Sequence, residues 1–110
     1  MKLSWDDFEK VEMRVGTVLT VGDFPEAKKP AYQLQIDFGP IGIKKTSAQI
    51  TKRYDKKELV GKQVIAVVNF PKKQIANFMS ECLVLGIVGE DNDVTLLQPD
   101  TNAKNGDRVG

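Results

Sequence analysis

The chain has 110 residues, 41% apolar and 28% charged, with no histidine, one cysteine and a net charge of +1, which predicts one domain over residues 1–110 with a modest core. Without histidine there is no Ser-His or Cys-His nucleophile pair, and a lone cysteine forms neither an intrachain disulfide nor an all-cysteine zinc site. Together with the absence of a glycine-rich phosphate loop, this predicts a binding protein rather than an enzyme, with no metal or cofactor. No apolar run approaches the ~20 residues of a membrane span, and the N-terminus lacks the apolar core of a signal peptide, so the expected location is cytoplasmic, without membrane insertion.

In chain order, Ser4 is placed to cap a short helix with Asp6 and Asp7 in its first turn. Trp5, Phe8 and Val11 share one face of it. Arg14 to Val21 alternates, with Val15, Thr17, Leu19 and Val21 on one face, and reads as a strand. A loop with two prolines, Gly22 to Pro30, follows. Tyr32, Leu34, Ile36 and Phe38 alternate against Gln33, Gln35 and Asp37 as a second strand. Gly39-Pro40 turns the chain into a third strand, Ile41 to Thr46. Ser47 is placed to cap a helix over Ala48 to Tyr54, and Asp55 to Gly61 is a turn. Gln63 to Asn69 and Glu81 to Val88 are the fourth and fifth strands. Val94 to Leu97 is a further short strand, and Asn105-Gly106 a tight turn.

Charge is unevenly spread. Lys44 to Lys73 carries nine cations and two acids, a net of +7, and the remainder carries seven cations and thirteen acids, a net of −6. Such a band is either a solvated face or a field aimed at an anionic partner. Between the fourth and fifth strands lie Asn69, Phe70, Lys72, Lys73, Phe78 and Ser80. Cations, aromatics and a hydroxyl on a turn between rigid strands make a recognition surface for apolar segments or for bases. Lys44 and Lys45 point to opposite faces of their strand, so at most one faces a groove there. Cys82 reads as a small core residue.

Five to six short strands with one small helix between the third and fourth is the pattern of an all-β, five-stranded OB-fold barrel, here with N- and C-terminal extensions. The order also resembles the tRNA-binding-domain family of OB folds. The resemblance rests on Met13-Arg14-Val15-Gly16-Thr17-Val18, Phe24-Pro25-Glu26-Ala27, Leu34-Gln35-Ile36-Asp37-Phe38-Gly39, Ser47-Ala48-Gln49-Ile50, Leu59-Val60-Gly61-Lys62 and Val67-Val68-Asn69. Within that family the run from Ile41 to Tyr54, the Asn69-Phe70-Pro71 turn and the tail from Leu96 onward resemble the CsaA-type export-related chaperones.

That resemblance implies a homodimer without nucleotide hydrolysis. It implies binding of unfolded precursor polypeptides and of the export motor ATPase, with tRNA binding as the alternative. The candidate peptide- or RNA-binding residues are Lys44, Ser47, Asn69, Phe70, Lys72, Lys73, Phe78 and Ser80. Trp5, Phe8, Val11, Leu96, Leu97 and Pro99 form the candidate dimer interface. Two departures stand out. Glu81 directly follows the serine that relatives place at the RNA surface, where a carboxylate repels phosphate. Asn77 stands where the subfamily often has glycine, and asparagine tolerates positive φ.

Overall fold

A computed structural model describes residues 1–110. Nine strands are present: β1 (Met13–Asp23), β2 (Tyr32–Asp37), β3 (Ile43–Ala48), β4 (Gln63–Val67), β5 (Lys73–Ile75), β6 (Phe78–Ser80), β7 (Leu83–Val84), β8 (Gly86–Val88) and β9 (Val94–Leu96). Helices α1 (Trp5–Lys10) and α2 (Lys56–Leu59) accompany them. Five strands form one antiparallel sheet in the order β3-β2-β1-β4-β7. β1 pairs with β4 through Met13–Thr17 and with β2 through Thr17–Asp23, so one long strand serves both halves.

The sheet curls until β3 meets the segment before β7. Glu81 N–H donates to the Lys45 carbonyl at 2.8 Å, and the Glu81 carboxylate accepts the Lys45 N–H at 2.9 Å. Inside this seam the Thr46 hydroxyl lies 2.8 Å from the Ser80 hydroxyl and donates to the Cys82 carbonyl at 2.6 Å. The result is a nearly closed five-stranded OB-fold barrel.

The core is built from the inward positions Val18, Leu34, Ile36, Phe38, Val64 and Ala66, joined by Ile50, Leu59, Cys82 and Leu96. Gly16 also faces inward, where a Cβ would lie 2.5 Å from Ile36 and 2.7 Å from the Phe38 ring. Only glycine fits there.

Three local expectations are corrected. A register shift between Val18 and Thr20 turns the face of β1, so Val18 is buried and Leu19 exposed. The helix does not run from Ala48 to Tyr54. The β2–β3 ladder extends to Ser47 and Ala48, and the short helix starts at Lys56. There Asp55 and Glu58 form a capping box, with the Glu58 carboxylate accepting the Asp55 N–H at 2.6 Å. Leu96 is 7% exposed and belongs to the barrel core, so it is removed from the candidate interface.

The C-terminal segment lies along the outer edge of the first half of β1. Val15 N–H donates to the Asp107 carbonyl, Gly106 N–H to the Val15 carbonyl, and Val109 N–H to the Met13 carbonyl, at 2.8–3.0 Å. The Gln63 side chain holds the same segment through both polar atoms of Ala103.

Candidate binding groove

The stretch between β4 and β7 is more ordered than a basic turn. It forms a hairpin in which Lys73, Gln74 and Ile75 pair with Ser80, Met79 and Phe78. Two-residue periodicity gives this hairpin an inner face with Phe78 and Ser80 and an outer face with Met79. The Phe78 ring packs tilted on Phe24, with centroids 5.4 Å apart, and Phe24, the first residue after β1, is buried. Lys45 Nζ sits over the Phe78 ring, 5.2 Å from its centroid.

These groups border a groove of about 280 Å³ on the outer face of β1, β2 and β3. Its lining includes Thr20, Gly22, Gln33, Gln35, Lys45 and Phe78. The ladder sets this arrangement: Gln35 stands opposite both Thr20 and Lys45, and Gln33 opposite Gly22 and Ser47. The outward positions of three neighbouring strands thus form one polar floor, walled on one side by an aromatic ring.

The predicted site residues separate into distinct places. Phe78 lines the groove. Ser47 lies on the outward face at its rim, in the ladder position opposite Gln33. Lys44 shares the register position of the fully buried Ile36, on the other face of β3, and Lys45 is the cation at the groove.

Ser80 is 9% exposed, and its hydroxyl is spent inside the seam on Thr46 and Cys82. It shares a strand face with Phe78 but lies where β6 enters the closed seam, so its assignment to the binding surface is corrected on burial and on its filled hydrogen bonds. Asn69 accepts the Glu12 N–H at 3.0 Å and donates to the Lys10 carbonyl at 2.7 Å, so its amide fastens the α1–β1 junction. Phe70, Lys72 and Lys73 are exposed, with Phe70 at 55%.

Electrostatics at the seam follow from these contacts. The Lys45 backbone N–H, with help from the Lys72 ammonium 3.6 Å away, holds the Glu81 carboxyl below the usual carboxylate range against the opposing effect of burial. Burial pushes the Cys82 thiol up to about 11, so it stays protonated and unreactive near neutrality. Three of the nine cations of the basic band are neutralised by ion pairs, Arg53 with Asp93, Lys56 with Asp23 and Lys72 with Glu81. The acidic remainder of the sequence folds back onto the basic middle.

Sequence reasoning missed Phe24, Thr20 and Gly22. The outward alternation of Gln33 and Gln35 is the signal that points to Thr20 and Gly22, because ladder partners of outward residues also face outward, whereas nothing in that pattern marks Phe24.

The family model described as "Putative tRNA binding domain" matches residues 13–108. The solved structure of chaperone CsaA from Bacillus anthracis str. Ames is 49% identical, with a TM-score of 0.96 and coverage of 100% of both chains. That of the CsaA chaperone protein from Picrophilus torridus is 54% identical, with a TM-score of 0.93, covering 99% of this chain and 100% of that one. A methionine–tRNA ligase of Chlorobium chlorochromatii (strain CaD3) is 32% identical over 97% of this chain, which spans only 15% of that enzyme's length. From the barrel, the hairpin beside its groove and the match over residues 13–108, the chain belongs to the tRNA-binding-domain family of OB folds, as a member of CsaA type.

Proposed function

We propose that this protein is an export-related chaperone that binds unfolded precursor polypeptides in the groove beside Phe78, as a cytoplasmic homodimer and without catalysis or nucleotide hydrolysis. The observation that carries this reading is the identity of about half of all residues, along the full chain, with two structures named as CsaA chaperones. The groove supports it. Its floor is neutral apart from Lys45, and its wall is aromatic. The export motor ATPase is a proposed second partner.

Binding in such a groove is weak. At about 25 cal/mol per Å², burying ~200 Å² of apolar surface contributes ~5 kcal/mol before ordering costs. Two grooves in a dimer raise avidity without a new contact. Weak, divalent, unselective binding suits a protein that holds clients and passes them on.

A tRNA-binding reading is favoured by a different observation, the family match itself together with the exposed Phe70, Lys72 and Lys73 on the hairpin side. Salt separates the two. Phosphate contacts weaken steeply between low and moderate salt, whereas apolar peptide contacts hold.

The test is suppression of aggregation of a denatured client, run with Phe78→Ala and with Lys72→Ala plus Lys73→Ala. Phe78→Ala should weaken client binding by about 1–3 kcal/mol in any salt. The lysine pair should matter only at low salt. Because the Phe78 ring also rests on Phe24, folding of Phe78→Ala is checked by its thermal midpoint. A folded Phe78→Ala that protects the client as well as the parent does would place the binding surface elsewhere.

A further inference from the structure

Gly22 lies on the groove floor, opposite Gln33 in the β1–β2 ladder. It sits within β1, and a Cβ built on it would meet nothing within 4 Å. Neither tight packing nor a left-handed backbone requires a glycine here, although glycine weakens a strand interior. Gly16, on the same strand, shows the opposite case, with the core pressed against it. A strand glycine facing open space marks a place where another backbone can come close.

The neighbours of Gly22 have hydrogen-bonding capacity to spare. Gln35 accepts the Thr20 hydroxyl at 3.3 Å and keeps its amide NH₂ free, and the Gln33 side chain faces the groove with no partner in the chain. The two amides stand two residues apart on one face of a strand, about 6.8 Å along it. An extended polypeptide laid beside the strand presents its same-facing N–H and C=O groups at that repeat.

We propose that the groove recognises the main chain of an extended polypeptide. The client backbone crosses Gly22 and exchanges hydrogen bonds with Gln33 and Gln35, while Phe78 takes an apolar side chain and Lys45 an acidic one. This rests on the polypeptide-binding reading above and specifies how that binding is made.

Each glutamine amide offers both a donor and an acceptor, which complements a peptide group whatever the client's sequence. A phosphate backbone only accepts, and would offer no donor to the Gln33 carbonyl or to the remaining lone pair of the Gln35 carbonyl. It would also find one cation on the floor, where a polyanion needs a series. Lys72, the nearby alternative, is already paired with Glu81.

The experiment uses a fluorescein-labelled peptide alternating phenylalanine and glutamate, and the same peptide N-methylated at every second residue, titrated against the full chain by anisotropy. N-methylation keeps the side chains and removes main-chain donors. We expect it to weaken binding about tenfold, the loss of one to two hydrogen bonds. Gly22→Val puts a strand-favouring side chain into the open space, so it should keep the thermal midpoint and weaken the unmethylated peptide about tenfold or more. Gln33→Ala with Gln35→Ala should bind the two peptides almost equally.

Equal binding of both peptides by the parent protein overturns the inference and leaves the chaperone reading standing. So does full binding by a folded Gly22→Val, or undiminished discrimination by the glutamine variant. If neither peptide binds while tRNA binds at low salt, the chaperone reading itself falls. Should Gly22→Val fail to fold, the two-peptide comparison on the parent protein still decides.

Discussion

The Glu81 carboxylate closes the barrel seam by standing in for a backbone acceptor, and it takes Lys72 as its counter-ion. Its pKa is lower in the folded protein than the usual value of about 4.3 for an unperturbed glutamate. The stability it contributes is therefore fully present above that value and is lost as pH falls through the folded pKa. Glu81→Gln keeps an acceptor for Lys45 and removes the charge. Denaturant midpoints of parent and variant should differ most above about pH 5 and converge in acid. With Lys72 released, the variant should also bind tRNA more tightly at low salt and bind peptide as before. A flat tRNA titration would show that Lys72 does not meet nucleic acid.

At this scale the sequence reveals residue types better than residue directions. The sequence singles out Phe70 and Phe78 alike as aromatics on either side of two lysines, and only the fold shows that Phe78 lines the groove and Phe70 does not. Ser80 and Asn69 carry no such mark. Their partners Thr46, Lys10 and Glu12 lie 34, 59 and 57 residues away, and only the folded ladder brings them close.

The β5–β6 hairpin shows the same division among elements. Its two-residue turn puts Ala76, not Asn77, at positive φ, 51°. A hairpin turn with a left-handed first residue favours glycine there. The Ala76 Cβ costs about 1–2 kcal/mol in that conformation, partly offset in a glycine variant by greater freedom of the unfolded chain. Ala76→Gly should therefore raise stability by up to about 1 kcal/mol, read as a higher denaturant midpoint with an unchanged slope. An unchanged or lower midpoint would mean that the strain is relieved elsewhere in the turn.

The long alternating strands β1, β2 and β4 were legible because half-buried sheet writes its period into the sequence. The bulge after Val18 was not, since it is set by the need of β1 to bend between two partners. The helix was misplaced for a related reason. Ser47 has the chemistry of a cap, but the ladder with Gln33 claims its backbone first.

For the molecule as a whole, several large apolar side chains that do not line the groove are exposed. Trp5 is 83% exposed on α1, Val11 follows it, and Ile87, Val88 and Leu97 are exposed on and after the β8–β9 hairpin. A monomer that left all of these in water would carry unusual apolar exposure. Sedimentation at micromolar concentration should give a dimer. Trp5→Ala with Phe8→Ala should shift the mass toward the monomer, and a parent protein that sediments as a monomer would remove the avidity on which the proposed mechanism depends.

The strip at residues 106–109 pairs with Met13 and Val15 on the first strand of the barrel. Of the strands of this barrel, the first to be made is thus the one whose edge is covered last, and pairing across so long a loop is slow. Until those residues are released, β1 offers a bare edge of the kind that invites aggregation. A protein proposed to shelter unfolded chains would itself begin as one, its first strand waiting for residues 106–109 before that edge is covered.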